Sequence, residues 1–361
     1  MKIETAFYEK LEDGKVKCKI CSHYCVIKPG TRGYCKTRVN EDGTLYSLIY
    51  GAMISKGFID PIEKKPLYHF LPAAKAYSIA SVGCSMNCLQ CQNWSLSRAV
   101  INDSGKVASV TEDTIDRGVV HGESFIMTQT TPEQLANDVI HRHCETLAYT
   151  YTEPTIWFEF IRDSAPLVRK KGIKTILVSN GYSNPETNAE YVNFIDAANI
   201  DLKGFTKKFY QEVCKVPEMD PVLNTIKYFH EHGVHVEITN LIIPNRNDNL
   251  EEISAMCEWI LNNVGPYVPV HFSAYHPAYK MNEPRTETQI LIRAYEIARS
   301  KGLKYVFLGN VMTEKGNDSV CPQCGNVLIR RSGYYVKVMG VNDAGKCKQC
   351  GFETKIKMKI N

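Results

Sequence analysis

Residues 76–94 read AYSIASVGCSMNCLQCQNW. The first half is an apolar run closing on Gly83, the pattern of a buried strand that stops at a turn. Directly after it come Cys84, Cys88 and Cys91 in the spacing CX3CX2C. Three closely spaced thiolates with no fourth partner nearby can hold three irons of a cubane cluster and leave the fourth iron open to a ligand. A closed zinc site would use the same thiolates but needs a fourth ligand at similar range, and neither Gln92 nor Asn93 is a good donor.

The chain of 361 residues is long enough for a barrel-sized core with appendages. Hydrophobic content of 44% and charged content of 23% are ordinary for a globular protein. No apolar run approaches the length of a membrane span, and the opening MKIETAFYEKLEDGK lacks the apolar core of a signal peptide, so the expected location is the cytoplasm, with no membrane partner. A net charge of +4 gives no support to nucleic-acid binding. Fourteen cysteines in a reducing compartment point to metals rather than disulfides.

Two further cysteine groups bracket the first. Cys18, Cys21, Cys25 and Cys35 lie in CKICSHYCVIKPGTRGYC, a loop-built module whose spacing suits zinc or an auxiliary iron–sulfur cluster. Zinc is the preferred expectation, because a structural four-thiolate site needs no electron-transfer role. Cys321, Cys324, Cys347 and Cys350 form two CXXCG knuckles around the strand-rich NVLIRRSGYYVKVMGV, the pattern of a zinc ribbon.

Between these modules strands and helices alternate. AYSIASV, ETLAYTYTEP, KTILVSNG, AANIDLKG, VHVEITNLII, PVHFSAYH and KYVFLGN read as strands. Helices start at Thr131–Pro132, Pro154–Thr155 and Asn249. The expected fold class is α/β: a partial (β/α)6-type TIM barrel with an N-terminal four-cysteine module and a C-terminal zinc ribbon. The expected boundaries are 1–70 for the first module, 71–312 for the barrel and 313–361 for the ribbon. The stretch from about Arg98 to Gln129 is long for a connection and reads either as a lid or binding element or as a plain surface insertion.

The CX3CX2C run at the end of a first strand resembles the signature of the radical S-adenosylmethionine superfamily, with Gln90 standing where an aromatic residue is usual. The resemblance extends through DPIEKKPLYHF (60–70), CQNW (91–94), YTYTEPTIWFEF (149–160), SNGY (179–182), IDLKGF (200–205), LIIPNRND (241–248) and YVFLGNV (305–311). Together these stretches resemble an enzyme of the AmmeMemoRadiSam type, a group similar to pyruvate formate-lyase activating enzymes, which install glycyl radicals. The resemblance implies that Cys84, Cys88 and Cys91 ligate a 4Fe-4S cluster whose open iron chelates S-adenosylmethionine. Reductive cleavage of that cofactor would give a 5'-deoxyadenosyl radical that abstracts hydrogen from a protein or peptidyl substrate.

The same resemblance implies further roles. Glu153, in Thr152-Glu153-Pro154, would meet the cofactor ammonium, although an acid there also suits a helix N-terminus. Ser179 and Asn180 would hydrogen-bond the cofactor or serve as a turn before Gly181. Asp201 and Lys203 would lie near its carboxylate, with Lys203 neutralising it. Val178 replaces an aspartate of the activating enzymes. His276 matches a histidine near the reaction centre, whereas His271 equally suits a core position. Asn240, Pro244 and Asn247 would face the adenosine. Cys144, Cys214 and Cys257 read as core fillers. A low-potential ferredoxin or flavodoxin is the implied electron donor, and a protein substrate or the AmmeMemoRadiSam partner proteins are the implied partners. Two other readings stand beside this one: radical modification of a small metabolite, and a non-catalytic zinc-rich interaction scaffold.

Overall fold

A computed structural model describes residues 1–54, 57–102, 107–110 and 127–359. Its largest sheet has eight strands: β1 (Phe58–Pro61), β2 (Lys75–Ile79), β3 (Thr146–Tyr149), β4 (Lys174–Ser179), β5 (Ala197–Asp201), β6 (His235–Ile242), β7 (Val270–Ala274) and β8 (Val306–Gly309). They lie side by side in chain order. Every neighbouring pair from β2 to β8 is parallel, and β1 pairs antiparallel with β2 at the edge.

Six helices connect and cover the parallel strands: α1 (Pro132–His141), α2 (Phe158–Arg169), α3 (Pro185–Tyr191), α4 (Asp220–Glu231), α5 (Leu250–Asn263) and α6 (Thr288–Lys301). Local chemistry sets their starts. Thr131 and Gln134 form a reciprocal capping box at α1, and the Asn249 side chain accepts from the amides of Glu251 and Glu252 at α5. Pro154 opens a 3-10 turn, Pro154–Trp157, before α2.

The alternation along each strand separates two cores. Leu147 and Tyr149 of β3 face the helices and join the main apolar cluster, whereas Ala148 faces the other way. On that inner face Ala76, Ala148, Ile176 and Ala197 pack against Ile62, Leu67, Phe70 and Leu71. The connection between β1 and β2 therefore runs inside the curl of the sheet and fills it. Alanine on three strands makes room for this plug. The parallel array holds the seven strands read from the sequence, and the sheet begins upstream of residue 71 because the chain before residue 71 supplies both an edge strand and the plug.

The plug is tied down by Glu237 of β6, which is fully buried. Its Oε1 accepts from the His69 amide at 2.7 Å and lies 3.0 Å from His235 Nε2. Its Oε2 accepts from the Tyr68 amide at 3.0 Å and lies 2.7 Å from His271 Nε2. Burial works to raise the pKa of this carboxyl, but the two imidazoles outweigh it and hold the group well below the ordinary carboxylate range.

The outer modules dock on this frame. At the C-terminal side, Arg331 donates to the Tyr68 carbonyl at 2.6 Å and to Ser319 Oγ at 2.9 Å, and Ser319 Oγ lies 2.8 Å from His69 Nε2. At the N-terminal side, the Arg38 guanidinium grips Glu159 of α2 with two bonds of 2.8 Å, and both residues are buried. Much of the Arg98–Gln129 stretch lies outside the described residues. At its ends Ala99–Ile101 pairs with Val107–Val110, and Met127–Gln129 pairs with Ala52–Ile54. No helix among the described residues is long and apolar enough to cross a membrane.

Replacing Glu237 by Gln removes the charge that faces two imidazoles and two amides, so Glu237→Gln should cost about 3 kcal/mol at neutral pH. Because the folded pKa of Glu237 lies below its unfolded value, its contribution is complete above about pH 4.3 and is lost as pH falls below that. The deficit of the variant should therefore shrink in acid. Urea denaturation midpoints across pH check this; a constant difference would mean that the carboxylate charge is irrelevant.

Candidate active site

A cavity of about 330 Å³ opens at the carboxyl ends of the parallel strands, where α/β barrels carry their chemistry. Cys84, Cys88 and Cys91 line it, together with Glu153, Ser179, Asn180, Asp201 and Lys203. Residues drawn from four successive strand ends thus meet in one space.

Backbone bonds to the chain around residue 214 help to hold the cysteine loop. The amides of Asn87 and Leu89 donate to the carbonyls of Cys214 and Val213 at 3.1 and 2.9 Å. Gly83 enters the loop at φ +90°, and a Cβ there would stand 2.5 Å from Thr37 Cγ2 and 2.9 Å from Ile156 Cδ1. Only glycine suits both the backbone angle and the space. Donors surround the sulfurs: Cys84 Sγ accepts from the Met86 amide at 3.4 Å and from Asn180 Nδ2 at 3.6 Å, and Cys91 Sγ lies 3.5 Å from Ser97 Oγ. Burial pushes the Cys84 thiol up to about 12.

Glu153 is buried and accepts three hydrogen bonds, from Ser179 Oγ at 2.8 Å, the Asn180 amide at 2.8 Å and the Thr155 amide at 2.9 Å. It caps the 3-10 turn before α2 and also lines the cavity. Burial raises its pKa in spite of these donors. Lys203 Nζ lies 2.9 Å from Asp201 Oδ2. Burial works against its charge, but Asp201 and the nearby sulfurs of Cys88 and Cys214 hold its pKa well above the ordinary value.

The remaining expected residues fall elsewhere. His276 is exposed, with Nδ1 3.2 Å from Nε2 of Gln92, which does line the cavity. His271 belongs to the Glu237 network below the cavity floor. Asn247 spends its amide on the Ile243 nitrogen and on the Lys203 and Leu241 carbonyls, and Asn240 donates to the Leu202 carbonyl. These two asparagines clamp the loops after β5 and β6.

One wall was not read from the sequence. Lys64 and Lys65 reach it from the start of the plug, and both bind Asp60, at 2.8 and 2.7 Å. Tyr151 donates to the same Asp60 carboxylate at 2.6 Å, lies under Lys65 Nζ at 4.4 Å from its ring centroid, and takes φ +66°. The paired lysines after a short apolar strand were visible as EKK in 63–65, but nothing local said that the connection turns inward.

The family model of the Radical SAM superfamily matches residues 78–260. The chain belongs to the radical SAM superfamily. An uncharacterized protein of Methanocaldococcus jannaschii is 39% identical over 350 residues, covering 96% of this chain and 97% of its own. Among solved structures, a domain of pyruvate-formate lyase-activating enzyme from Bacteroides vulgatus is 22% identical, covers 45% of this chain and 98% of its own, and has a TM-score of 0.40. Streptococcus suis SuiB bound to S-adenosylmethionine is 15% identical, with 63% of this chain and 48% of its own covered and a TM-score of 0.43.

As a radical SAM protein the chain is an enzyme, and its family implies a 4Fe-4S cluster and S-adenosylmethionine. The donor set suits both: three thiols, one of them with hydrogen-bond donors on its sulfur, a buried carboxylate and a lysine in one cavity. Gln90 adds a buried Oε1 with no hydrogen-bond partner among the described residues, on a residue that lines the same cavity.

Gly83→Ala should displace the radical SAM cysteine loop, with about 1–3 kcal/mol of lost stability and reduced iron content after anaerobic reconstitution. Iron per chain and thermal midpoint are the readouts; wild-type values for both would show that the turn tolerates a side chain.

Proposed function

We propose that this protein is a radical SAM enzyme of the AmmeMemoRadiSam type that cleaves S-adenosylmethionine reductively and abstracts hydrogen from a protein or peptidyl substrate. What carries the reading is the single cavity in which Cys84, Cys88 and Cys91 stand together with Glu153, Ser179, Asn180, Asp201 and Lys203. When bound there, the cluster and S-adenosylmethionine supply a 5'-deoxyadenosyl radical. The three thiolates would hold the cluster. Lys203, kept charged by Asp201, would receive the cofactor carboxylate, and the unshared lone pairs of Glu153 would accept from its ammonium. The plug closes the cavity from below and keeps water from entering through the barrel. His276, held by Gln92 at the rim, would meet the substrate.

One observation favours a second substrate class. Lys64 and Lys65 share a single carboxylate, Asp60, so this wall of the cavity carries a surplus cation. Such a wall suits a small anionic metabolite.

At the C-terminal module, Cys321 and Cys350, and Cys324 and Cys347, approach to 3.7 Å between sulfurs, and all four ligand atoms lie within 4.8 Å of one another. This is the span of four thiolates around one zinc ion, with bonds of about 2.3 Å. Burial works to raise the pKa of Cys347, but the amides of Cys350 and Gln349 and the Asn326 side chain bring it down to about 6. Protons compete with zinc for the four thiolates, so zinc retention by the module should weaken as pH falls. Zinc release measured with a chromogenic chelator between pH 7 and pH 5 tests this; release that does not depend on pH would remove zinc–thiolate binding as the explanation.

Anaerobic reconstitution, dithionite reduction and addition of S-adenosylmethionine should yield 5'-deoxyadenosine on chromatography. A variant carrying Cys84→Ala, Cys88→Ala and Cys91→Ala should yield none. Equal product from the two would sink the proposal.

A further inference from the structure

Apart from the cysteines, the charged side chains that line the cavity, among the described residues, are Lys64, Lys65, Glu153, Asp201 and Lys203. The proposed placement of S-adenosylmethionine uses three of them: Lys203 with its partner Asp201 for the carboxylate, and Glu153 for the ammonium. Lys64 and Lys65 are left over. Three observations bear on what they meet.

The first is the charge balance of the pair. Asp60 is buried, and both of its oxygens are occupied: Oδ1 by Lys64 Nζ at 2.8 Å, and Oδ2 by Lys65 Nζ at 2.7 Å and the Tyr151 hydroxyl at 2.6 Å. One carboxylate thus serves two ammonium groups and a phenol. Lys64 Nζ carries three N–H groups and gives one hydrogen bond among the described residues, to Asp60, which leaves two for a ligand. The Lys64 side chain is 44% exposed and that of Lys65 is 1% exposed, so Lys64 is free to make the contact while Lys65 adds its charge close by. Burial lowers the pKa of Lys65 and Asp60 works to raise it; a second anion arriving there favours the charged form further.

The second is rigidity. Lys64 ends the 3-10 turn Ile62–Lys64, and Lys65 follows it. The Ile62 amide donates to the Ala74 carbonyl at 3.0 Å, the Lys65 amide donates to the Ile62 carbonyl at 2.8 Å, and Ile62 itself is packed into the plug. Tyr151, whose ring lies under Lys65 Nζ, takes φ +66°, a left-handed backbone that costs energy for a residue with a side chain. A strained residue that holds a carboxylate between two cations is the mark of a clamp built for a ligand rather than of a solvated surface.

The third is place. The Tyr151 carbonyl accepts from Asn93 Nδ2 at 2.8 Å, two residues after Cys91, so the clamp is tied to the cysteine loop. The cavity is also lined by Thr239 and Leu241 of β6, Ser273 of β7 and Asn310 just after β8, all uncharged. Lys64 and Lys65 are therefore where this lining can match a charge on a substrate.

We propose that Lys64, backed by Lys65 and held in place by Asp60 and Tyr151, binds an oxyanion of the substrate, a carboxylate or a phosphate, and so sets the orientation in which a small anionic metabolite is presented to the radical. Lys64 is the contact; Lys65, Asp60 and Tyr151 are positioning residues, and no bond is made or broken at any of them. The proposal rests on the small-metabolite reading of this cavity.

The test titrates inorganic phosphate and, separately, acetate into the full chain, reconstituted with its cluster oxidised and S-adenosylmethionine present, so that the open iron is filled and no turnover takes place. By isothermal titration calorimetry at least one of the two anions should bind saturably. Lys64→Gln should weaken that binding about tenfold or more, whereas Lys64→Arg, which keeps the charge, should hold it to within about threefold. An unaltered thermal midpoint shows that each variant is folded. Tighter phosphate binding assigns a phosphorylated substrate and tighter acetate binding a carboxylate one, and either supports the proposal. No saturable binding of either anion, or equal affinities in the unaltered chain and in Lys64→Gln, would overturn it. The titration reads binding and not cleavage, so a reduced chain that yields no 5'-deoxyadenosine would count against the radical SAM reading and not against the anion site.

Discussion

Four hydrogen bonds converge on the carboxylate of Glu237 inside the curled sheet, and the arrangement above and below it depends on them. A charge buried at that depth is tolerated only when its oxygens are filled by donors. Two of the donors are amides of the plug, so satisfying the charge also places the plug. The plug then divides the interior. Apolar packing fills the lower part, and the cavity above it is left to polar residues from the strand ends.

The same anchoring reaches the C-terminal module. Arg331 crosses from it to the Tyr68 carbonyl and lies over the Tyr68 ring at 4.3 Å, and Ser319 meets His69. The residues that grip Glu237 on one side therefore hold the four-cysteine module on the other. At the opposite end of the chain a second buried pair, Arg38 and Glu159, holds the N-terminal module against α2. This sets Cys35 and Thr37 against Gly83. Buried ion pairs add little net stability, since desolvation offsets much of their attraction. Their value here is positional: each admits only one docking of its module, because any other would strand a charge.

Much of the architecture was legible in local patterns. The parallel strands appear as apolar runs because both faces of such strands are covered, and Thr131 and Asn249 announce helix starts through the hydrogen bonds that their side chains can make. The spacing of Cys84, Cys88 and Cys91 is a local property of one loop, so it could be read directly. Lys64, Lys65 and Tyr151 could not, because their meeting at Asp60 depends on a connection folding into the sheet rather than over it. The only trace of that path was the small residues Ala76, Ala148 and Ala197, scattered across three strands.

The sequence by itself determined the alternation of strands and helices, the three cysteine groups and the order in which their ligands occur, because each rests on spacing within a few residues. Tertiary structure decided which side chains share the cavity, that Glu153 caps a helix while lining it, and that His271 serves the floor rather than the site. It also decided how close the sulfurs of the C-terminal group stand, 3.7 Å between paired thiols. Intervals along a chain count residues, whereas a metal site is defined by distances in space, and those are set only when the loops are pressed against the rest of the fold.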